Sequence, residues 1–354
     1  MAAPTRPPTI HTTAGFLDSF RAPNYVIRPL LQEGFLYSLT AKTGVGKTSI
    51  ALRLAMHVAT GRDVGHFEVA KAGRVLFLAG ENPTDIQMRV AALVRQMGLD
   101  AERIPIDFIA GTYDIKRHME AIIKWSETTE GIKLVVIDTA IVYFPGKDEN
   151  DNVEMSDYAK MLRRFVELKG HPAVVVVCHP VKKGADTMPR GGGALLNEVD
   201  GNLICSGKRG EPVRLHWAEK FRGPNFEPQL FELKQEHGPL KDDRGLDLPT
   251  MIAIPMELTE TKKRVRQQNE FAQQLAAILP VFPGATLRKL ATELGWFTGE
   301  DRQPYVARVK VAMLRLVGRG LVKVNRKNMD DWKWIGDGRE VDWNAPEPSD
   351  DDGS

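Results

Sequence analysis

The chain has 354 residues, 42% of them hydrophobic and 27% charged, which is typical of a globular protein of about two domains. Its N-terminus carries no apolar signal core and no apolar run reaches the length of a membrane span. The sequence therefore predicts a cytoplasmic protein without a membrane partner. The two cysteines, Cys178 and Cys205, lie in apolar runs without zinc or disulfide spacing, which predicts buried, reduced thiols.

Charge is distributed unevenly along the chain, although the formal net charge is only +2. Residues 262–336 contain fifteen Lys or Arg and six Asp or Glu and carry +9, so the remaining residues carry −7. A basic segment of this kind is typical of a surface that binds nucleic acid. DNA is therefore an expected partner of the C-terminal part of the chain.

Composition and periodicity divide the chain into five segments. Residues 1–24 contain four prolines and no periodicity, which predicts a flexible N-terminal arm. Apolar strands alternate with amphipathic helices over 25–236, which predicts one α/β domain with a mainly parallel sheet and an antiparallel extension. Residues 237–260, with three prolines and scattered charge, are predicted to be a linker. A second folded domain is expected over 261–336, and the acidic tail 337–354 is predicted to be disordered.

A glycine-containing loop follows the first apolar strand of the α/β domain. Residues 41–48 fit the phosphate-binding pattern [AG]-x-x-x-x-G-K-[ST], between the apolar run 35–39 and the amphipathic segment 49–60. Glycines let backbone N–H groups turn towards phosphate oxygens, and the following helix adds its free N–H groups. We expect ATP and Mg²⁺ here, with Lys47 on the β- and γ-phosphates and Thr48 on the metal. The predicted nucleotide-binding residues are Ala41, Lys42, Thr43, Gly44, Val45, Gly46, Lys47, Thr48 and Ser49.

Polar residues follow three later apolar strands, at the end where parallel sheets bind ligands. Glu81 follows the strand RVLFLA, Asp138 ends the strand LVVI, and His179 follows the strand AVVVVC. We predict that Asp138 completes the metal site, that Glu81 activates the attacking water, and that His179 contacts the γ-phosphate. The alternatives are a helix-start acid for Glu81 and a strand-end histidine without a catalytic role for His179.

Further elements are predicted by periodicity between and after these motifs. Helices are expected at 84–97, 115–129 and 153–168, and strands at 104–109, 203–206, 213–219 and 229–233. The loop 180–193 is rich in glycine and positive charge, which indicates either a mobile functional loop or an ordinary solvated one.

The basic segment near the C-terminus has the pattern of a winged helix-turn-helix. Helices are predicted at 265–279, 286–294 and 304–318, followed by a hairpin of 321–324 and 332–335. A winged helix places its third helix in the major groove and its wing against the backbone, which predicts DNA contacts from Arg308, Arg315 and Lys323. A protein-binding winged helix is the alternative.

The order of these motifs resembles that of RecA-type hexameric ATPases, and in particular RepA-like replicative helicases, over residues 25–235. The resemblance implies a RecA-like P-loop NTPase core with Glu81 as the catalytic base. It also implies that Lys182, Lys183 and Arg190 bind single-stranded DNA in the channel of a ring. In the segment EKFRGP, the resemblance implies that Lys220 and Arg222 reach the γ-phosphate of the neighbouring subunit.

The predicted function is therefore that of a ring-forming, ATP-hydrolysing motor, a homo-hexamer that acts as a replicative DNA helicase of plasmid or phage type. Tyr25 is a candidate to stack on the base of the nucleotide. Two other functions stay open. One is an ATP-gated DNA-binding initiator, loader or recombination mediator, and the other is a RecA-like strand-exchange protein.

Overall fold

The computed structural model describes residues 10–18, 20, 22–149, 151–181, 186–208, 210–299, 301–325 and 328–336, apart from the side chains of 258–267. The chain divides into two compact units, Met1–Met256 and Glu257–Ser354. In the predicted N-terminal arm, the described residues include a short helix, Thr13–Asp18. The predicted tail 337–354 lies outside the described residues.

The first unit alternates strands and helices along most of its length. Its strands are β1 (Tyr25–Ile27), β2 (Leu31–Gln32), β3 (Leu36–Thr40), β4 (Arg74–Ala79), β5 (Ile106–Ala110), β6 (Ile132–Asp138), β7 (Ala173–Cys178), β8 (Gly201–Ser206), β9 (Val213–Phe221), β10 (Gln229–Lys241) and β11 (Asp247–Pro255). Its helices are α1 (Thr13–Asp18), α2 (Lys47–Thr60), α3 (Pro83–Met97), α4 (Ile115–Thr128), α5 (Asn152–Arg163) and α6 (Gly192–Glu198). The sequence did not predict α6.

Nine of these strands form one sheet in the order β11-β10-β9-β8-β3-β7-β6-β4-β5. Strands β3 to β8 pair in parallel, whereas β9, β10 and β11 continue the sheet as antiparallel strands. The register brings the carboxyl ends of four parallel strands, at Thr40, Cys178, Asp138 and Ala79, to one edge. The predicted α/β class is confirmed, with the sheet of a RecA-like P-loop core.

The central strands are buried on both faces, which explains their uninterrupted apolar sequences. Along β7, Val175 and Val177 pack into a core with α2 and α3. Val174 and Val176 point to the other face and pack into a second core with α4 and α5. The sheet is therefore a fixed platform for the loops at its carboxyl edge.

The predicted linker 237–260 is wrong over most of its length, because β10 and β11 form a hairpin there. Prolines suggested irregular chain, yet β11 is an edge strand, where a missing N–H group is tolerated. Pro239 lies where the hairpin register shifts. Ile252 and Ala253 are buried in the core with α2 and α3, and Arg53 Nε of α2 donates to Ala253 O at 2.5 Å.

The second unit has the predicted three helices and a hairpin. Its elements are α7 (Leu258–Ile278), α8 (Leu287–Glu293), β12 (Phe297–Thr298), β13 (Gln303–Pro304), α9 (Val306–Gly318), β14 (Val322–Asn325) and β15 (Asn328–Trp334). Leu275, Leu290, Met313 and Trp332 bring the helices and the hairpin into one core. The assignment of this unit to the winged-helix class stays a prediction.

Within the ranges that the structure describes, no helix is both long and apolar enough to span a membrane.

Candidate active site

The loop between β3 and α2 has the backbone that phosphate binding requires. Gly44 and Gly46 adopt φ of 84° and 95°, a left-handed region that glycine enters without strain. Helix α2 begins at Lys47, directly after Gly46, so its free N–H groups face the loop. Ala41, at the first position of the pattern, is buried, and its N–H donates to Cys178 O at 3.3 Å.

Lys47 lies at the centre of a group of charged and polar side chains. Its Nζ is 3.5 Å from Nδ1 of His179, and Oγ1 of Thr43 lies 3.4 Å from the same nitrogen. Burial lowers the pKa of Lys47, while the carboxylates of Glu81 and Asp138 act in the opposite direction. Burial, followed by the charge of Lys47, lowers the pKa of His179, which favours the neutral imidazole.

Asp138 is a buried carboxylate with spare hydrogen-bonding capacity. It is 2% exposed, and burial raises its pKa to about 6, although a hydrogen bond from Thr48 acts to lower it. Among the described residues, Asp138 Oδ1 and the hydroxyl of Thr139 have no hydrogen-bond partner. Buried oxygens are rarely left without a partner, and carboxylate and hydroxyl oxygens are the ligands that Mg²⁺ prefers. Thr48 and Asp138 therefore fit the predicted metal site.

Glu81 lies at the carboxyl end of β4, where it faces the same group. Its side chain is exposed, and its charge acts on the pKa values of Lys47, Asp138 and His179. The N-cap of α3 is Asn82, whose side chain accepts from the N–H of Asp85 at 3.1 Å. Because Asn82 supplies the cap, Glu81 is not needed to start the helix. Its position suits a base that takes a proton from water.

Two of the residues predicted to bind nucleotide have other partners. The hydroxyl of Ser49 donates to Met251 O in β11 at 3.0 Å, and Ser49 is 1% exposed. The Ser49 hydroxyl is thus bound within the subunit, and contact of Ser49 with the nucleotide stays a prediction for its backbone N–H. Lys42 is exposed and forms an ion pair with Asp186 at 2.5 Å, which joins the P-loop to the segment after His179.

Tyr25, Lys220 and Arg222 do not lie at the P-loop of their own chain. Phe221 pairs with Gly201, and Gly201 pairs with Tyr37 near the start of β3, so the end of β9 lies at the amino edge of the sheet. Tyr25 belongs to the small sheet of β1 and β2 and stacks with Arg28 at 5.1 Å. Gln32, which pairs with Tyr25, donates its N–H to the Tyr37 hydroxyl near the start of β3, so Tyr25 is not at the P-loop of its own subunit. Its stacking on a base stays a prediction.

The two cations at the amino edge have partners within the subunit. Arg222 Nη1 contacts Oδ1 of the buried Asp200 at 2.9 Å, and Arg163 Nη1 contacts the other oxygen at 3.1 Å. Lys220 Nζ donates to the carbonyls of Leu196 and Asn197 at the end of α6, at 3.2 and 2.6 Å. The side chain of Arg222 is still 63% exposed, so one side of its guanidinium faces away from Asp200.

Of the three residues predicted to bind DNA in loop 180–193, Arg190 is among the described residues. Lys182 and Lys183 lie outside the described residues. Arg190 is not exposed as expected, because its side chain packs beside His179 and pairs with Glu149 at 3.4 Å. Its N–H donates to His179 O at 2.7 Å. The predicted contact of Arg190 with DNA is therefore not supported in this conformation.

Two of the three residues predicted to contact DNA in the second unit contact other residues of that unit. Arg308 lies over the rings of Phe271, Trp296 and Tyr305, with centroids at 4.6 to 5.7 Å. Arg315 donates to the side chains of Asn269 and Gln268 in α7, at 2.6 and 3.0 Å. Both half-buried side chains are thus engaged within the unit, which helical position alone did not reveal, and their roles in DNA binding stay predictions. Lys323 is exposed on β14, as predicted.

Sequence reasoning missed three polar residues around these sites. Thr139 follows Asp138 directly, and its unpaired hydroxyl was detectable only from burial. Asp200 precedes β8 and also accepts from the N–H of Leu36 at 3.0 Å. Glu149 pairs with Arg190 beside His179. Each is a single acidic or hydroxyl residue without a motif, so only the fold identifies its partners.

The chain also matches a known protein family. Residues 3–185 match the family described as AAA domain, which is more than half of the chain. The matched region includes the P-loop, Glu81, Asp138 and His179, the residues that the fold brings together. Phosphate-binding loop, buried metal-site carboxylate and candidate base thus occur in one matched domain. The chain belongs to the AAA domain family and is a P-loop ATPase.

Proposed function

We propose that the protein is a ring-forming, ATP-hydrolysing motor that acts on DNA as a RepA-like replicative helicase. The observation that carries the proposal is the separation of two charged groups across one sheet. Lys47, Asp138, Glu81 and His179 meet at the carboxyl edge, whereas Arg222 lies at the amino edge. A subunit arranged in this way carries the phosphate-binding and hydrolytic residues at one edge of its sheet. At the opposite edge it carries an arginine that can reach the nucleotide bound by a neighbouring subunit.

The proposed roles at the carboxyl edge follow from position and charge. Lys47, desolvated at the start of α2, binds the β- and γ-phosphates, and Thr48 and Asp138 hold Mg²⁺. The metal, when bound, neutralises charge on the phosphates. Glu81 takes the proton of the attacking water. Neutral His179, beside Lys47 and Thr43, contacts the γ-phosphate and transmits its loss to the loop that follows.

The geometry of the sheet supports nucleotide sites shared between subunits. Asp200, which binds Arg222, pairs by its backbone with Leu36 at the start of β3. From Leu36 to Thr40 the strand spans about 13 Å, and the P-loop lies beyond that end. Arg222 therefore cannot serve its own P-loop without refolding, but it can face that of a neighbour in a ring.

DNA contacts are proposed for loop 180–193 in the first unit and for a winged helix in the second. Lys182 and Lys183 are the candidate cations of the loop. In the second unit, the exposed cations on or near α8, α9 and the hairpin are better candidates than Arg308 and Arg315, which are engaged within the unit. Among the described residues they are Arg288, Lys289, Arg302, Lys310, Lys323 and Lys333.

A test of the function measures ATP turnover with and without single-stranded DNA, on protein whose mass is determined by light scattering. We expect a hexamer whose turnover DNA stimulates, and separation of a forked duplex that requires ATP. DNA-stimulated turnover without strand separation would favour the initiator or loader. Filaments that pair strands would favour the recombination protein, and a monomer with DNA-independent turnover would contradict the motor.

The ring itself is tested by mixing two inactive variants. Arg222→Ala should bind ATP and hydrolyse it about 10³- to 10⁵-fold more slowly, because a trans Arg stabilises charge that develops on the γ-phosphate. Lys47→Ala fails at its own P-loop but offers an intact Arg222 to its neighbour. Partial recovery of turnover in the mixture is expected. No recovery, with subunit exchange demonstrated by light scattering of tagged chains, would exclude a trans role for Arg222.

A further inference from the structure

The hairpin of β10 and β11, which follows the region of the family match, touches the P-loop directly. A Cβ atom on Gly46 would lie 2.8 Å from both terminal carbons of Leu233, so this side chain packs against the loop backbone. On β11, Met251 O accepts hydrogen bonds from Ser49 Oγ and from Arg89 Nη1, each at 3.0 Å. The hairpin is thus fixed to the start of α2 and to α3.

The P-loop therefore has two different walls. On one side, Thr43 and Lys47 approach His179, and the charges of Glu81 and Asp138 reach the same place. With the roles proposed above for these residues, the terminal phosphate lies on that side. On the other side, the loop meets the hairpin at the apolar side chain of Leu233 and, through Ser49, at the carbonyl of Met251.

Met251 differs from its neighbours on β11. Ile252 and Ala253 are buried in the core, whereas Met251 is 36% exposed although its carbonyl is anchored at the start of α2. Arg89, which holds that carbonyl, is itself fixed by Asp85 at 2.7 Å. An exposed thioether on a rigid support beside a phosphate loop is a suitable contact for a planar ring.

We propose that the nucleoside of the bound nucleotide lies against the hairpin, with the side chain of Met251 on the face of the base. The proposal rests on the nucleotide turnover proposed above and assigns a surface for the base on the subunit that binds the phosphates. With the terminal phosphate at His179, the other phosphates extend away from His179. The hairpin is the surface on the opposite side of the loop, where the nucleoside then lies. Leu233 and Met251 supply its apolar contacts.

The test compares two ligands that differ only in the nucleoside. Affinities for ATP and for inorganic tripolyphosphate are measured by titration calorimetry with Mg²⁺, on the full chain. Met251→Ala should weaken ATP binding roughly three- to tenfold, the range of a thioether–aromatic contact, and leave tripolyphosphate within about twofold. Met251→Leu should restore most of the ATP affinity. Leu240→Ala, another exposed apolar residue of the hairpin, is the control and should change neither ligand.

Three results would overturn the proposal. Unchanged ATP affinity in a folded Met251→Ala protein would place the base elsewhere. A parallel loss for ATP and tripolyphosphate would mean that Met251 only supports the loop through its carbonyl. If the unaltered protein binds neither ligand, nucleotide turnover itself fails, and this outcome is distinguishable because it precedes any substitution.

Discussion

Two buried carboxylates lie at opposite edges of the same sheet, and their surroundings differ. Asp138 and Asp200 are 2% and 3% exposed. Asp200 binds two arginines and a backbone N–H, so its charge is satisfied within the subunit. Asp138 keeps one oxygen without a partner among the described residues. Burial alone does not mark a site, but a buried carboxylate with unused capacity indicates a ligand that the protein is built to receive.

The same difference separates the predicted cations of the two units. Lys47 is buried, with the carboxylates of Glu81 and Asp138 and the imidazole of His179 around it. Arg308 and Arg315, on α9, are instead occupied by aromatic rings and by amide side chains of the same unit. A cation with a full set of internal partners stabilises the fold, and a cation in an incomplete arrangement is available for a ligand.

The largest expected effect is that of Lys47→Ala. Removing the desolvated ammonium should abolish ATP turnover, a loss of about 10³-fold or more, since it interacts with the phosphates that carry the transition-state charge. The fold should survive, because burial of this charge is itself unfavourable. Turnover and thermal unfolding are measured together. Normal turnover with an unchanged melting curve would contradict the P-loop assignment.

Glu81→Gln should lower turnover about 10²- to 10⁴-fold, which is what a positioned general base contributes. ATP binding should be retained, because the amide keeps the shape of the side chain and the phosphate ligands are intact. Single-turnover hydrolysis and nucleotide affinity are the measurements. Hydrolysis within a few-fold of the original would show that Glu81 is only a residue at the start of a helix.

Asp138→Asn should abolish Mg²⁺-dependent turnover and yet stabilise the ligand-free protein. The pKa of Asp138 rises from 3.8 to about 6 on folding. Ionisation of Asp138 therefore lowers the free energy of unfolding progressively as the pH rises from about 4 to 6, and the whole reduction persists at higher pH. The substitution should add up to about 3 kcal/mol to the free energy of unfolding above pH 6 and almost nothing below pH 4. Urea unfolding at pH 4 and pH 7.5, without metal or nucleotide, measures the difference.

Asp200→Asn is the matched change at the other edge and should have the opposite sign. It leaves Arg163 and Arg222 without a carboxylate, which should cost about 2–3 kcal/mol of unfolding free energy at pH 7.5, less than a fully buried pair because both arginines are partly exposed. If Asp138→Asn and Asp200→Asn change the free energy of unfolding equally and with the same sign, the proposed difference between the two carboxylates is contradicted.

The smallest effects are expected in the second unit. Lys323→Ala should weaken duplex DNA binding a few-fold and reduce the slope of log affinity against log salt by about one, as for one phosphate contact. Arg315→Ala should instead cost about 1–2 kcal/mol of stability through its lost hydrogen bonds and leave that slope unchanged. Fluorescence anisotropy at several salt concentrations distinguishes them. A reduced slope for Arg315→Ala alone would reverse the assignment.

Local sequence determined the elements whose signals are local. The P-loop, the strands β4 and β7 and most helices follow from spacing, periodicity and apolar runs within about twenty residues. Glu81, Asp138 and His179 were predictable for the same reason, since the ends of parallel strands meet at one edge of a sheet. The prolines of 237–260 led to the wrong prediction of a linker, because the low β-propensity of proline does not distinguish an edge strand from a linker.

Tertiary structure alone decided which way the remaining side chains face. Ser49 contacts Met251, and Arg222 contacts Asp200, across separations of 202 and 22 residues. Residue type and helical position fix neither partner, because the energy of such contacts depends on which surfaces the fold brings together. The orphan oxygen of Asp138 is likewise a property of burial. The sequence by itself determined the chemical groups of the ATPase, and packing determined which of them are left unpaired for a ligand.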